Sequence, residues 1–297
     1  MNMSGQFQIE LDNSFIDICL KFIDNRTKDI FDDLIAHPAG IKVHSHAVRY
    51  DNTNEPIDAF WRNITENQFN QEMENHINSA IEFLEENKDL FASSMDEVAE
   101  YLPKDLQLKC KLYTMVGYDI GIVSEGSAFV NIAHRFFKKN PYELIFIPMH
   151  EAHHVGYIHY NPTFSFSELK RLSDLKKAVR FSTHLEGLAV YAPLRRRLET
   201  GCVAHEDYSA LMDEEIAEQR KVQYFDLVKE LEKTADRKIT DDDFGIFEPM
   251  SEPGTRLWYV TGAYMAKIID EKLGREALRE TVRQGPDSFF DLYNSVS

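Results

Sequence analysis

The sequence predicts an α+β protein that is mostly helical. Apolar residues recur at three- and four-residue spacing along most of the chain, the signature of amphipathic helices. A single stretch near the middle, residues 112–132, is instead rich in β-branched and aromatic residues with glycines inside it. At 297 residues and 43% hydrophobic, the chain has ample material for a core. A small β region between two helical parts is the pattern of an α+β fold.

The elements follow in chain order. Phe15, Ile18, Cys19, Phe22, Ile23, Ile30, Phe31 and Leu34 predict one helix from Asn13 to about Ala36, ended by His37-Pro38-Ala39-Gly40. Phe69, Met73, Ile77, Ile81 and Leu84 predict a second from Glu66 to Phe91, with Thr65 and Gln68 at capping-box spacing. A short helix is expected at Met95–Tyr101, with Ser94 as its cap. Leu112–Val123 reads as one or two strands bent near Gly117 and Gly121. Glu125-Gly126-Ser127 reads as a turn, and Ala128–Ile132 as a further strand leading into a short helix that ends near Asn140-Pro141. Helices are then expected at Pro148–Tyr160, Ser167–Leu198 (kinked or divided by Pro193), His205–Ala235, Thr255–Leu273 and Asp287–Tyr293, with a loop over Lys238–Gly254. This gives three regions: helical 1–104, an α/β part 105–162, and a helical C-terminal part 163–297.

Charge narrows the partners. The chain carries 33 basic and 50 acidic residues, a net charge of −17, which argues against a phosphate-binding surface and so against nucleic acid. No stretch approaches the ~20 apolar residues of a membrane span, and the first residues lack a signal-peptide pattern. Three cysteines, Cys19, Cys110 and Cys202, are too few and too scattered for a disulfide framework. A cytoplasmic location is therefore expected. The sequence leaves the oligomeric state open.

The chemistry concentrates in Met149-His150-Glu151-Ala152-His153-His154, which contains HExxH. Residues four apart share a helix face, so His150 and His154 can reach one metal ion. Glu151 beside them is placed to take a proton from water activated by that ion. A catalytic zinc keeps three protein ligands and one open position. The third candidate is Glu186, in His184-Leu185-Glu186-Gly187-Leu188-Ala189, because a carboxylate inside an apolar helical segment needs a partner. Gly187 would also let another backbone approach. The bland alternative is a surface or salt-bridged carboxylate, and Glu168 and Asp174 are the next acids to consider. Tyr157 and Tyr160 stand where the metzincin extension needs Gly and His, which disfavours that class.

His150-Glu151-x-x-His154 followed by Glu186-Gly187-Leu188-Ala189 resembles the gluzincin metallopeptidases, the group of thermolysin and the zinc aminopeptidases. It is also similar to predicted bacterial and archaeal zinc proteases with an HEYHH-like motif and a later EGLA. Tyr259-Val260-Thr261-Gly262-Ala263 resembles the Tyr-x-x-Gly-Ala element of the aminopeptidases. The resemblance implies a zincin-like core with a small sheet, an active-site helix and a C-terminal helical subdomain. It implies one Zn²⁺ per chain held by His150, His154 and Glu186, with Glu151 as base and Tyr259 as oxyanion donor. Two departures stand out. Thirty-one residues lie between His154 and Glu186, more than in thermolysin-like members, and no Gly-x-Met-Glu-Asn element precedes His150. Ala128-Phe129 resembles the substrate-binding edge strand of thermolysin-type enzymes.

The implied activity is a zinc-dependent metallohydrolase, a peptidase acting on peptides. Its rivals are an amidase on a small amide metabolite and a non-catalytic zinc-binding interaction protein. Of the other polar groups, His153 reads as lying behind the ligands or at the surface, and His184 as pointing elsewhere on its helix. Tyr264 reads as core. His44, His46, His134 and His159 carry no clear signal. A di-iron site needs a second ExxH, and the chain has none. Phosphate loops, GxSxG elbows and CxxC pairs are also absent.

Overall fold

The structure, a computed structural model, describes residues 7–50 and 53–297. It is mostly helical with one four-stranded sheet, the class the sequence predicts. The chain forms two compact units. One gathers the chain up to Glu97 together with Leu106–Val155, and the other gathers Val98–Asp105 and Gly156–Ser297. No described helix is long and apolar enough to cross a membrane.

In the first unit β1 (Gln8–Asp12) is a strand the sequence reading passes over, with only Ile9 and Leu11 apolar among its five residues. The predicted first helix is two, α1 (Ser14–Asp24) and α2 (Lys28–Ala36). The 3.6 period runs through both, but the helix itself is divided at Thr27, whose hydroxyl accepts from the Ile30 N–H as the cap of α2. His37 leaves the helix, and Pro38 opens α3 (Pro38–Tyr50) rather than closing the region. The predicted Glu66–Phe91 helix likewise falls into parts of α4 (Ile57–Asn67), α5 (Gln71–Glu86) and α6 (Lys88–Val98). Asn70 caps α5, accepting from the Met73 N–H at 3.0 Å. The expected Thr65–Gln68 box does not form, because Thr65 lies inside α4 and donates to the Arg62 carbonyl. Ser94 is likewise buried within α6 and caps nothing.

The sheet order is β1-β2-β4-β3, with β2 (Lys109–Met115), β3 (Gly121–Ser124) and β4 (Ser127–Asn131). β1 and β4 run parallel to β2, and β3 pairs antiparallel with β4. The β3–β4 turn is tight because Glu125 and Gly126 both adopt positive φ, 45° and 72°. Every residue of β4 is buried, and Tyr113 stacks on Phe129 with centroids 5.2 Å apart. β4 therefore lies inside the sheet, so Ala128-Phe129 is not an edge, contrary to expectation. The edge on that side is β3. After α7 (Phe136–Lys139) comes α8 (Glu143–Tyr160). It starts five residues before the predicted N-terminus, which leaves Pro148 inside the helix rather than in its first turn.

The second unit is helical. Pro193 separates α9 (Leu172–Tyr191) from α10 (Leu194–Thr200), as its ring requires. The predicted His205–Ala235 helix is α11 (Glu206–Met212) and α12 (Glu214–Lys233). Asp213 divides them, its carboxylate accepting from the Glu215 and Ile216 N–H groups at 3.1 Å. The expected loop at 238–254 holds a 3₁₀ segment, Asp241–Ile246, and α13 (Phe247–Ser251). Phe244, Ile246 and Phe247 there cover Leu172 and Leu175 of α9. The chain ends with α14 (Leu257–Leu273), α15 (Arg275–Gln284), which the sequence reading passes over, and α16 (Pro286–Val296).

Candidate metal centre

α8 carries the HExxH residues on a helix whose apolar side chains leave little surface. Leu144, Ile145, Phe146, Met149 and Ala152 are all buried. Such a helix is buried on most of its circumference, which fixes the direction of its polar groups. His150 and His154 lie one turn apart on one face, with ring centroids 4.4 Å apart and planes at 84°. One ligand atom each from His150, His154 and Glu186 all lie within 4.8 Å of one another. Among the described residues this is the one group of three or more histidine, cysteine or acidic side chains so arranged. Two imidazoles and a carboxylate form a donor set that suits zinc and leaves a coordination position open.

The other acids the sequence offered are occupied elsewhere. Glu168 accepts from the Ser165 N–H, and Asp174 accepts from the Lys170 and Arg171 N–H groups at the start of α9. Those backbone bonds also hold the Asp174 carboxyl below its ordinary pKa.

Glu151 is buried, and its carboxylate lies against the first residue of β3. A Cβ added to Gly121 would sit 2.5 Å from Glu151 Oε1 and 2.9 Å from its Cδ, so glycine is required for the carboxylate to occupy that place. The sequence marks Gly121 only as a bend. Its second role becomes visible once β3 and α8 are seen side by side.

Glu186 and Tyr259 are brought together by packing between α9 and α14. A Cβ on Gly187 would lie 2.4 Å from the Gly262 backbone, and a Cβ on Gly262 would lie 2.3 Å from the Thr183 carbonyl oxygen. Two glycines therefore let two helix backbones touch. This gives the Glu-Gly and Tyr-x-x-Gly-Ala elements a shared physical reason. Each glycine is fixed by the contact, and the candidate side chain, Glu186 or Tyr259, sits one residue or one turn before it. Burial, and next the nearby Glu186 carboxylate, raise the Tyr259 phenol above its ordinary pKa, so it remains an O–H donor. Tyr264, further along α14, instead lies under Lys221, whose Nζ is 5.0 Å from its ring centroid.

Arg256, the residue before α14, carries no signal in the sequence. Its guanidinium carbon lies 3.6 Å from the Tyr259 ring centroid. Nε and Nη2 donate to the two oxygens of Asp207, the latter at 2.9 Å, and Asp207 is 2% exposed. Burial alone would lower the pKa of Arg256. The Asp207 bonds and charge, with Tyr259 and Glu186 adding to them, hold it above the ordinary value instead.

The remaining histidines lie outside the three-ligand group. His184 is fully buried in the second unit, stacked on Phe289 with centroids 4.5 Å apart. Thr281 donates to the Leu278 carbonyl, so its oxygen accepts from His184 Nε2–H at 2.9 Å. His184 Nδ1 then accepts from the Tyr157 hydroxyl, also at 2.9 Å. These bonds suit the Nε2–H tautomer. His153 is fully buried, which removes its surface reading. His44 binds the Glu55 carbonyl and His46 the Tyr118 hydroxyl. His134 accepts from the Phe136 N–H and lines a cavity of about 350 Å³ with Glu72, His76, Phe83 and Phe137, none of them a residue of the candidate centre.

Comparison with known families agrees with this chemistry. The chain belongs to the family described as "Putative zinc dependent peptidase (DUF5700)", whose profile matches residues 9–297. No curated protein and no solved structure matches the chain.

Proposed function

We propose that this protein is a zinc metallopeptidase of the gluzincin type. In this reading His150, His154 and Glu186 hold one zinc ion, Glu151 is the general base, and Tyr259 is the oxyanion donor. The observation that carries the reading is the convergence of those three ligand atoms beside a buried Glu151. A zinc ion held there supplies Lewis acidity, polarising a carbonyl and making water a stronger acid.

The chain's own groups supply the rest. Glu151 takes the proton of the attacking water and delivers it to the departing amine, so one carboxylate serves as base and then as acid. Gly121 leaves its carboxylate room to lie where it does. Tyr259 donates its hydroxyl hydrogen to the oxygen on which charge develops, and Asp207 and Arg256 fix the approach to that ring. β3, which pairs on one side with β4, would align an extended peptide by main-chain pairing. Its contact with Glu151 through Gly121 supports that role over the interior Ala128-Phe129 segment.

The test is a screen of labelled casein and a peptide library with zinc-loaded protein, wild type beside Glu151→Gln. Hydrolysis by the wild type that falls by at least ~100-fold in the variant, with zinc retained, supports the reading. Hydrolysis that survives Glu151→Gln removes that residue from the base role. A wild type that holds zinc, leaves every peptide intact and cleaves small amides would make it an amidase.

A further inference from the structure

Arg256 stands at an unusual point of the fold. With φ 44° and ψ 48° it is left-handed, one of two non-glycine residues with positive φ among the described residues. The other, Glu125, sits in a hairpin turn that needs that conformation. A bulky residue in this region is strained, and such strain persists only where the surroundings fix it. Here they do. Glu206 accepts from the Gly254 N–H at 2.7 Å, Arg220 donates to the Thr255 carbonyl, and buried Asp207 takes the Arg256 fork. An N-cap residue normally satisfies the first turn with an oxygen acceptor. Arginine has none, and its side chain makes no capping bond. The residue type is therefore explained by its guanidinium and by what that group covers.

What it covers is the ring of Tyr259, at 3.6 Å. A planar cation clamped by a buried carboxylate and laid on an aromatic face holds that ring in one rotamer. We infer that Arg256 is a positioning residue that aims the Tyr259 hydroxyl, with Asp207 as its anchor. The inference rests on the reading of Tyr259 as oxyanion donor. The strained backbone at 256 is what carries the guanidinium over the ring.

The test is a double-mutant cycle between Arg256→Asn and Tyr259→Phe. Asparagine tolerates the left-handed conformation, so the backbone is kept while the guanidinium is lost. With zinc-loaded protein and a fluorogenic peptide from the screen, Arg256→Asn should lower kcat by about 10–100-fold, the cost of a misaimed group, with KM nearly unchanged. In the Tyr259→Phe background the same change should cost almost nothing further. An undiminished second loss would overturn the inference, since the arginine would then act elsewhere. A second readout needs neither metal nor activity. The near-ultraviolet tyrosine absorption of metal-free protein should change on Arg256→Asn in the wild-type background and stay constant in the Tyr259→Phe background. An equal change in both backgrounds, or none in either, overturns the inference even if the protein proves to hydrolyse nothing. Should Arg256→Asn fail to fold, Arg256→Lys keeps the charge but loses the fork, and the same two cycles decide.

Discussion

The two groups of candidate site residues are placed by different means. His150, Glu151 and His154 are set by the repeat of one helix, whose apolar residues bury it and fix its direction. Glu186, Tyr259 and Arg256 depend on contacts between elements: the glycine contact of α9 with α14, and the grip of α11 on the residue before α14. A methyl group added beside the first group meets only the end of a flexible side chain, whereas one added between α9 and α14 meets backbone.

The largest expected effect tests the α14 group directly. Tyr259→Phe should lower kcat on the order of 100–1000-fold while zinc stays bound, as loss of one oxyanion donor does. Steady-state kinetics beside metal analysis check this, and a loss below about 3-fold would return Tyr259 to a packing role.

Gly187→Ala comes next. Its methyl would meet the Gly262 backbone at 2.4 Å, so the helices must part. Overpacking of this kind costs about 1–3 kcal/mol, and displacing Glu186 should weaken zinc binding by about 10–100-fold, the range seen when groups supporting a ligand are lost. Thermal unfolding and chelator competition would show both changes. A variant with wild-type zinc affinity would mean that Glu186 is placed independently of this crossing.

Gly121→Ala tests the α8 group by intruding on Glu151 at 2.5 Å. The intruded atom is the end of a flexible side chain, so the protein should keep its stability and its zinc. Turnover should fall by roughly 10-fold as the base is pushed aside. Unchanged turnover would show that the carboxylate works from another rotamer.

The smallest effect lies away from both groups. Burial raises the Asp12 pKa, but the Lys111 and Ser14 hydrogen bonds and the Lys111 charge outweigh it and lower the value from 3.8 to about 2. A carboxyl depressed on folding contributes stability in full above its unfolded pKa and loses it as pH falls through the folded one. The Asp12→Asn deficit should therefore be constant above about pH 5 and fade toward pH 2. Its partner Lys111 is 46% exposed, so solvent screening should keep the deficit under ~1 kcal/mol. Denaturant melts across that range would measure it.

The same contrast explains what could be read in advance. The α+β class and the HExxH helix follow from local spacing, and Pro193 divides its helix where expected. Helix boundaries were lost where one apolar period ran across a break. Thr27, Asn70 and Asp213 each cap the helix that follows through side-chain bonds that leave no mark on the apolar period. β1 was passed over because a strand that pairs parallel across about a hundred residues leaves little local trace. Gly187 carried a readable hint of close approach, but its partner Gly262 did not. Arg256 had no readable signal, because its conformation and its partners Asp207 and Tyr259 are set by tertiary contacts.

The most direct test of the central claim is the metal content of protein purified without added metal, read by mass spectrometry, wild type beside Glu186→Ala. The account predicts about one zinc per chain in the wild type and much less in the variant. A folded wild type that carries no zinc and takes up none when it is added would contradict it.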